Sequence, residues 1–163
     1  MKHSIRVSAL AAALVVGGIS TAQAGYLQIG GGVIQDLDER EKPAAQVAMY
    51  FDPLENFWDM EPYSGLLVSE ESTFYLNLGL SKGFNISNNW NWGITAGAGY
   101  FYTDDEQMDL EYDVEFLTRI FLDYHLTEDQ KLRLEFGHLS NAGLSDDDNP
   151  GTEMLMLNWM KQF

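Results

Sequence analysis

Three stretches of the chain, 74–86, 90–102 and 112–126, alternate apolar side chains with polar or small ones at period two. In the last of them the even positions are all Tyr, Val, Phe, Thr, Ile or Leu, whereas the odd ones include three carboxylates and an arginine. Period two is the repeat of a β-strand, whose successive side chains point to opposite faces. Strands of soluble proteins usually end after about 5–6 residues, but a tilted strand needs about 9–11 to cross a bilayer. The alternation therefore predicts membrane-spanning strands.

Extending this pattern along the chain predicts eight strands, of which the third is the least regular because Pro62 and Gly65 interrupt it. Their predicted bounds are 26–35, 44–52, 57–68, 73–86, 90–103, 112–126, 130–140 and 153–163. Short connections (87–89 and 127–129) alternate with mostly longer, acidic ones (36–43, 104–111 and 141–152). Short periplasmic turns and longer extracellular loops are typical of outer-membrane barrels, whose smallest members have eight strands. The sequence thus predicts an all-β fold, an eight-stranded antiparallel transmembrane β-barrel.

A soluble barrel of the lipocalin type, which also has eight strands, is the alternative. Its apolar face would point inward, and a row of glycines would then lie on the outside, namely Gly79, Gly83, Gly93, Gly97 and Gly99. Small and polar residues fit the narrow lumen of eight strands better, with bulky apolar residues toward lipid. The chain also ends in LNWMKQF, and its terminal aromatic residue resembles the assembly signal of outer-membrane barrels. Both features favour the membrane barrel.

Residues 1–24 have the features of a secretory signal peptide, with Lys2 and Arg6 before an apolar stretch and Ala-Gln-Ala at the end. Cleavage before Gly25 is expected to leave a barrel domain of residues 25–163. Cleavage would remove two of the nine Lys and Arg residues and none of the 25 Asp and Glu residues. The formal charge would therefore change from −16 to −18. Such acidity argues against a nucleic-acid partner, and the absence of cysteine excludes a disulfide framework.

The same parity predicts what fills the lumen. Arg119 and Arg133 fall on the inward face, together with acidic residues of the same strands, namely Asp113, Glu115, Asp123 and Glu135. Because a charge in a narrow lumen must be paired, these residues predict a hydrogen-bonded ionic network in place of an open pore.

Three polar residues interrupt the predicted lipid-facing stripes near the outer end of the last hairpin. His138 and Ser140 share the parity of Leu134 and Phe136, and Glu153 shares that of Leu155. A nucleophilic hydroxyl needs an adjacent base, and the base needs an acid that orients it, so these residues are candidates for nucleophile, base and acid. Polar residues that merely end two strands remain the structural alternative.

The residues around these three positions resemble the PagL family of lipid A 3-O-deacylases. The family pattern is H-x-S-N-A-G followed by N-x-G-x-E, and here it reads His138-Leu139-Ser140-Asn141-Ala142-Gly143 and then Asn149-Pro150-Gly151-Thr152-Glu153. The resemblance implies a Ser140–His138–Glu153 triad on the outer wall, which hydrolyses the 3-O-linked hydroxyacyl ester of lipid A in lipopolysaccharide. It also implies that Asn141 is needed for activity, and the Asn141 amide or the Gly143 N–H is a candidate oxyanion donor.

This interpretation places the protein in the outer membrane with its active site at the extracellular leaflet. It requires neither a cofactor nor a metal, and Asp146–Asp148 are interpreted as a solvated loop tip. Its partners are lipopolysaccharide and other outer-membrane lipids, and the sequence leaves open whether the barrel forms a homodimer. Two alternatives remain, a phospholipase that acts on outer-leaflet phospholipids and a non-enzymatic structural barrel.

Overall fold

The computed structural model describes residues 24–38, 40–110, 113–143 and 151–163. Its strands are β1 (Ala24–Gln35), β2 (Glu41–Phe51), β3 (Glu61–Ser69), β4 (Phe74–Asn85), β5 (Trp90–Tyr102), β6 (Val114–His125), β7 (Gln130–Ser140) and β8 (Thr152–Gln162). Each strand pairs antiparallel with the next, and β1 pairs with β8, so that the sheet closes on itself. The predicted eight-stranded antiparallel barrel is confirmed. Within the described ranges no helix is long and apolar enough to cross a membrane.

Some sequence-based predictions concern residues that the structure does not describe. The predicted signal peptide up to residue 23, the aspartates of the last loop and Asn149 all lie outside the described residues. They stay predictions.

The third strand begins at Glu61 and not at residue 57 as the pattern predicted. Residues 52–60 form a separate hairpin, in which Leu54 and Met60 make an isolated antiparallel bridge. Trp58 and Asp59 have φ angles of 54° and 50°, which a strand does not allow. The apolar residues 57 and 58 therefore belong to the hairpin and do not extend the wall.

The wall of the barrel points its apolar side chains outward. Along β6 burial alternates from Val114 to Tyr124, with the even positions exposed and the odd ones buried. Ile120, for example, is 58% exposed, whereas Phe121 is 5% exposed. An apolar exterior around a polar interior is stable in lipid and unfavourable in water.

Aromatic pairs mark the two ends of this apolar wall. Phe74 stacks on Tyr102 across β4 and β5 near one end, and Phe84 stacks on Trp92 near the other, with ring centroids 5.4 Å and 5.0 Å apart. Trp92 and Tyr102 are ten positions apart on β5 (102 minus 92). At ~3.3 Å per residue and a tilt of ~40°, they are roughly 25 Å apart along the barrel axis. This separation equals the height of the lipid-facing band of membrane barrels, about 25 Å.

Charged side chains fill the middle of the lumen. Arg133 donates from Nε and Nη2 to the two carboxylate oxygens of Asp123, at 2.6 Å and 2.8 Å. The Arg133 guanidinium also lies 3.6 Å from the centre of the Phe121 ring. Arg119 donates to Glu135 at 3.2 Å, and both residues are buried. The predicted ionic network is therefore present around these residues.

Two acidic residues depart from the predicted network. Asp113 was expected inside the lumen, but it is exposed, because it precedes β6 at the rim of the barrel. Glu115 is fully buried, and neither of its carboxylate oxygens has a hydrogen-bond partner within the part of the chain that the structure describes.

The loop between β5 and β6 closes the end of the barrel opposite the chain termini, which we call the barrel mouth. Met108 and Leu110 of this loop are 2% and 1% exposed and belong to the apolar cluster that includes Leu139. Asp105 of the same loop accepts a hydrogen bond from Lys42 of β2. This bond holds the pKa of the Asp105 carboxyl below its usual range. The mouth is thus plugged by apolar side chains directly beneath the end of β7.

Candidate active site

His138 and Glu153 are direct partners across the β7–β8 pairing. Directly opposite residues in an antiparallel pair have side chains on the same face, about 4.5–5.5 Å apart at Cβ. Their neighbours Phe136 and Leu155, which have the same parity, are 48% and 47% exposed on the outer wall. The register of one hairpin therefore places the predicted base and the predicted acid side by side on that wall.

The two side chains are hydrogen-bonded through His138 Nδ1 and Glu153 Oε1, which are 3.0 Å apart. Their side chains are 39% and 41% exposed. A carboxylate accepts, so this contact favours the tautomer in which Nδ1 carries the hydrogen and Nε2 is left with its lone pair. An imidazole held in this way can take a proton at Nε2.

Ser140 is the last residue of β7 and lies on the same face as His138. It is half-buried, and its partner across the β6–β7 pairing is Phe116. Phe116 and Phe136 are both exposed outer-wall residues. Ser140 therefore lies two residues from His138 on the same face and borders exposed apolar residues of the wall.

The turn after Ser140 is organised by Asn141. This side chain is fully buried, accepts a hydrogen bond from the Gly143 N–H at 2.9 Å and donates to the Leu110 carbonyl oxygen at 3.5 Å. Ala142 and Gly143 adopt positive φ angles of 55° and 75°. Both predicted oxyanion donors are thus hydrogen-bonded here, and the Leu110 contact connects them to the plug of the barrel mouth. The role of Leu110 could not be predicted from the sequence, because nothing in the chain relates residue 110 to residue 141.

Gly151 packs against the imidazole of His138. A Cβ atom at this position would lie 2.7 Å from His138 Cε1, 2.9 Å from His138 Nε2 and 2.6 Å from the Leu139 carbonyl oxygen. Its φ angle is 74°, which glycine adopts without the penalty that other residues incur. The backbone of Gly151 therefore supports the ring on its Nε2 side. The motif spacing already contained this glycine, but only the structure relates it to the ring.

For the predicted triad, replacing Gly151 by alanine is expected to reduce ester hydrolysis by about 100-fold, because the methyl group must displace the imidazole of the predicted base and a small misplacement of such a group costs a rate of this order. The measurement is the hydrolysis rate of the folded variant. Gly83→Ala is the matched control, since a Cβ there comes no closer than 4.0 Å to any other side chain. Equal rates in the two variants would contradict the supporting role of Gly151.

The other histidine of the described residues does not compete for this role. His125 is at the terminus-bearing end of β6, where its Nε2 lies 3.0 Å from Asn91 Nδ2. The described ranges also contain no group of three or more His, Cys, Asp or Glu residues that could hold a metal ion. Asp146–Asp148 lie outside those ranges.

Comparisons with known proteins agree with this fold. The model of the lipid A 3-O-deacylase (PagL) family matches residues 26–162. The solved structure of the outer membrane enzyme PagL superposes with a TM-score of 0.64 at 16% identity, over 85% of this chain and 99% of that one.

Two other barrels are similar in fold. Neisserial surface protein A has a TM-score of 0.61 at 10% identity, over 85% of this chain and 96% of its own. A designed transmembrane β-barrel has a TM-score of 0.55 at 13% identity, over 86% of this chain and 98% of its own. No curated protein sequence matches significantly. Because the family model matches nearly all of the barrel, the chain is an outer-membrane protein that belongs to the lipid A 3-O-deacylase (PagL) family.

Proposed function

We propose that the protein is an outer-membrane serine esterase that removes the 3-O-linked hydroxyacyl chain of lipid A. Membership of the family supports the substrate class. The observation that carries the chemistry is the 3.0 Å contact between His138 and Glu153, two residues along β7 from Ser140. Ser140 is the nucleophile, His138 the base and Glu153 the acid that orients the base.

In the proposed reaction Ser140 Oγ attacks the ester carbonyl carbon while its proton passes to His138 Nε2. The tetrahedral intermediate then loses the sugar oxygen, which takes the proton from His138 and leaves as a free 3-hydroxyl. Water attacks the acyl-serine with the same histidine as base, and a 3-hydroxy fatty acid is released. Glu153 stabilises the imidazolium that forms in both steps without taking its proton.

The position of the site supports a substrate that arrives by lateral diffusion in the membrane. Ser140 is at the mouth end of β7, near the level of the Phe74–Tyr102 aromatic pair that marks the edge of the apolar wall. We assign this end to the extracellular leaflet, because the termini and the shorter turns of outer-membrane barrels are periplasmic. The acyl chains of the substrate would lie along Phe116 and Phe136, with the sugar at the lipid–water boundary.

Asn141 and Gly143 are assigned to the turn that stabilises the oxyanion. In the structure the Gly143 N–H donates to Asn141 Oδ1, so the oxyanion must either replace that acceptor or bind another donor of the turn. One such donor is worth about 2.7–4 kcal/mol in other hydrolases. The buried Asn141 then fixes the path of the backbone between Ser140 and Gly143.

The experiment that tests this function offers two substrates at once. Purified barrel is incubated with vesicles that contain lipid A and a phosphatidylethanolamine without hydroxylated chains, and the released fatty acids are identified by mass. We expect 3-hydroxy fatty acids alone. Release of the non-hydroxylated chains would identify a phospholipase, and release of neither would favour a non-enzymatic barrel.

A further inference from the structure

The hairpin of residues 52–60 differs from the other two turns at the terminus-bearing end, which span only 86–89 and 126–129. It has a fixed internal structure. The Leu54 N–H donates to the Met60 carbonyl at 2.9 Å, the Phe57 N–H to the Leu54 carbonyl at 2.8 Å, and the Met60 N–H to the Phe57 carbonyl at 3.1 Å. An ordered excursion of this size holds its side chains in defined positions.

Its tip presents aromatic side chains outward. Trp58 is 76% exposed and stacks on Phe57, which is 48% exposed, with ring centroids 5.6 Å apart. Leu54 is also exposed. Trp58 and Asp59 are held at positive φ angles, a backbone conformation that aspartate tolerates but that is unfavourable for the bulky tryptophan. An unfavourable backbone that keeps an indole out of the protein interior indicates a role for that indole.

Lys82 ties the hairpin to the outer wall. It lies on β4 with the parity of Leu78 and Phe84, both of which are exposed outward. Its ammonium donates to the Trp58 carbonyl at 2.5 Å and to the Asp59 carbonyl at 3.4 Å, and it lies 3.7 Å from Asp59 Oδ2. Since Phe84 is in the aromatic pair at this end, the hairpin lies beside the wall near the lipid–water boundary.

The hairpin and its margin are strongly acidic. Its carboxylates are Asp52, Glu55, Asp59 and Glu61, and the adjacent Lys82 is already engaged with its backbone. The Asp59 side chain is 66% exposed. These carboxylates attract cationic groups of lipid headgroups and repel anionic headgroups. The exposed indole of Trp58 adds an aromatic face that binds ammonium groups.

We propose that residues 52–60 form an interfacial anchor that binds phospholipid with an ammonium headgroup, such as phosphatidylethanolamine, in the leaflet at the terminus-bearing end. The occupant follows from position, because the hairpin lies beside the lipid-facing wall, held there by Lys82, at the level where tryptophan is enriched in membrane proteins. Phe57, Trp58 and Leu54 enter the boundary between headgroups and acyl chains, and the carboxylates pair with the ammonium groups. The anchor is independent of the hydrolytic site at the barrel mouth.

Fluorescence quenching by brominated phosphatidylethanolamine tests the location of Trp58. The wild-type barrel and Trp58→Phe are reconstituted in vesicles brominated either at carbons 6 and 7 or at carbons 11 and 12. The fluorescence of Trp58 is obtained as the difference between the emission of the two proteins. We expect bromines at carbons 6 and 7 to quench more than half of it, and bromines at carbons 11 and 12 to quench less. A Trp58 contribution that neither lipid quenches would place the indole in water and overturn the anchor.

Two further comparisons test the tether and the headgroup. Lys82→Ala is expected to lose at least half of the Trp58 quenching, whereas Lys161→Ala keeps it, although Lys161 also lies 3.7 Å from a carboxylate, that of Asp129. Unchanged quenching in Lys82→Ala would overturn the tether.

Replacing phosphatidylethanolamine by phosphatidylglycerol with the same brominated chains is expected to reduce the quenching of Trp58 at least twofold. Equal quenching in both lipids would overturn the assignment of the headgroup.

Discussion

Replacing Ser140 by alanine is expected to lower ester hydrolysis by a factor on the order of 10⁴ or more, to background, while the barrel still folds and inserts. The nucleophile is lost, and the remaining groups of a triad cannot replace it. Folding is expected to persist because Ser140 is half-buried on the outer wall and fills no part of the lumen. The hydrolysis rate and the heat-dependent gel mobility of an intact barrel are measured on the same preparation.

Substitutions of the other two triad residues distinguish the role of the base from that of the acid. His138→Ala is expected to match Ser140→Ala, because without a base at Nε2 the hydroxyl is not activated. Glu153→Ala is expected to keep weak activity, since the orienting acid neither attacks nor takes the proton. Ser64→Ala, a half-buried serine of the outward parity on β3, is the control and should hydrolyse normally. Normal activity in Ser140→Ala would refute the triad, and failure to fold would make Ser140 structural.

Removing Glu135 is expected to cost about 3–5 kcal/mol in the free energy of unfolding, the largest effect on stability that we expect. Its Oε2 accepts hydrogen bonds from four buried side chains, which are Gln28, Gln46, Arg119 and Asn158. In Glu135→Ala the buried Arg119 loses its carboxylate, and an uncompensated buried charge is strongly destabilising.

Urea unfolding of the reconstituted barrel measures this cost. The control is Asp129→Ala, which breaks the pair with Lys161 on the surface and is expected to change stability little, because exposed ion pairs contribute little. If both variants lose the same stability, the lumen network does not hold the barrel together. If Glu135→Ala opens a conducting pore without a loss of stability, the network only blocks the lumen.

The barrel, and the fact that His138 and Ser140 share one face of their strand, could be predicted from the sequence, because both depend on a repeat of two. His138 and Ser140 share a face with Phe136 in any β-strand, whatever the rest of the molecule does. That Glu153 lies directly opposite His138 required the register of the β7–β8 hairpin as well. Parity alone puts Glu153 on the correct face but leaves its height along the strand open.

Contacts between distant parts of the chain could not be predicted in this way. Asn141 is fixed by Leu110, and Leu110 reaches it only because its loop folds back into the barrel mouth. Likewise, the apolar residues 57 and 58 extended the alternating pattern, but positive φ angles at Trp58 and Asp59 end the strand there. The alternation of polar and apolar residues predicts neither the path of a loop nor the φ angle of a residue.

The most direct test of the proposed esterase activity is mass spectrometry of lipid A after incubation with the purified, folded barrel. We expect lipid A to lose the mass of one 3-O-linked hydroxyacyl chain, the free 3-hydroxy fatty acid to be recovered, and Ser140→Ala to leave lipid A unchanged. Lipid A of unchanged mass after incubation with the folded wild-type protein would contradict this proposal, as would the same loss of mass with Ser140→Ala.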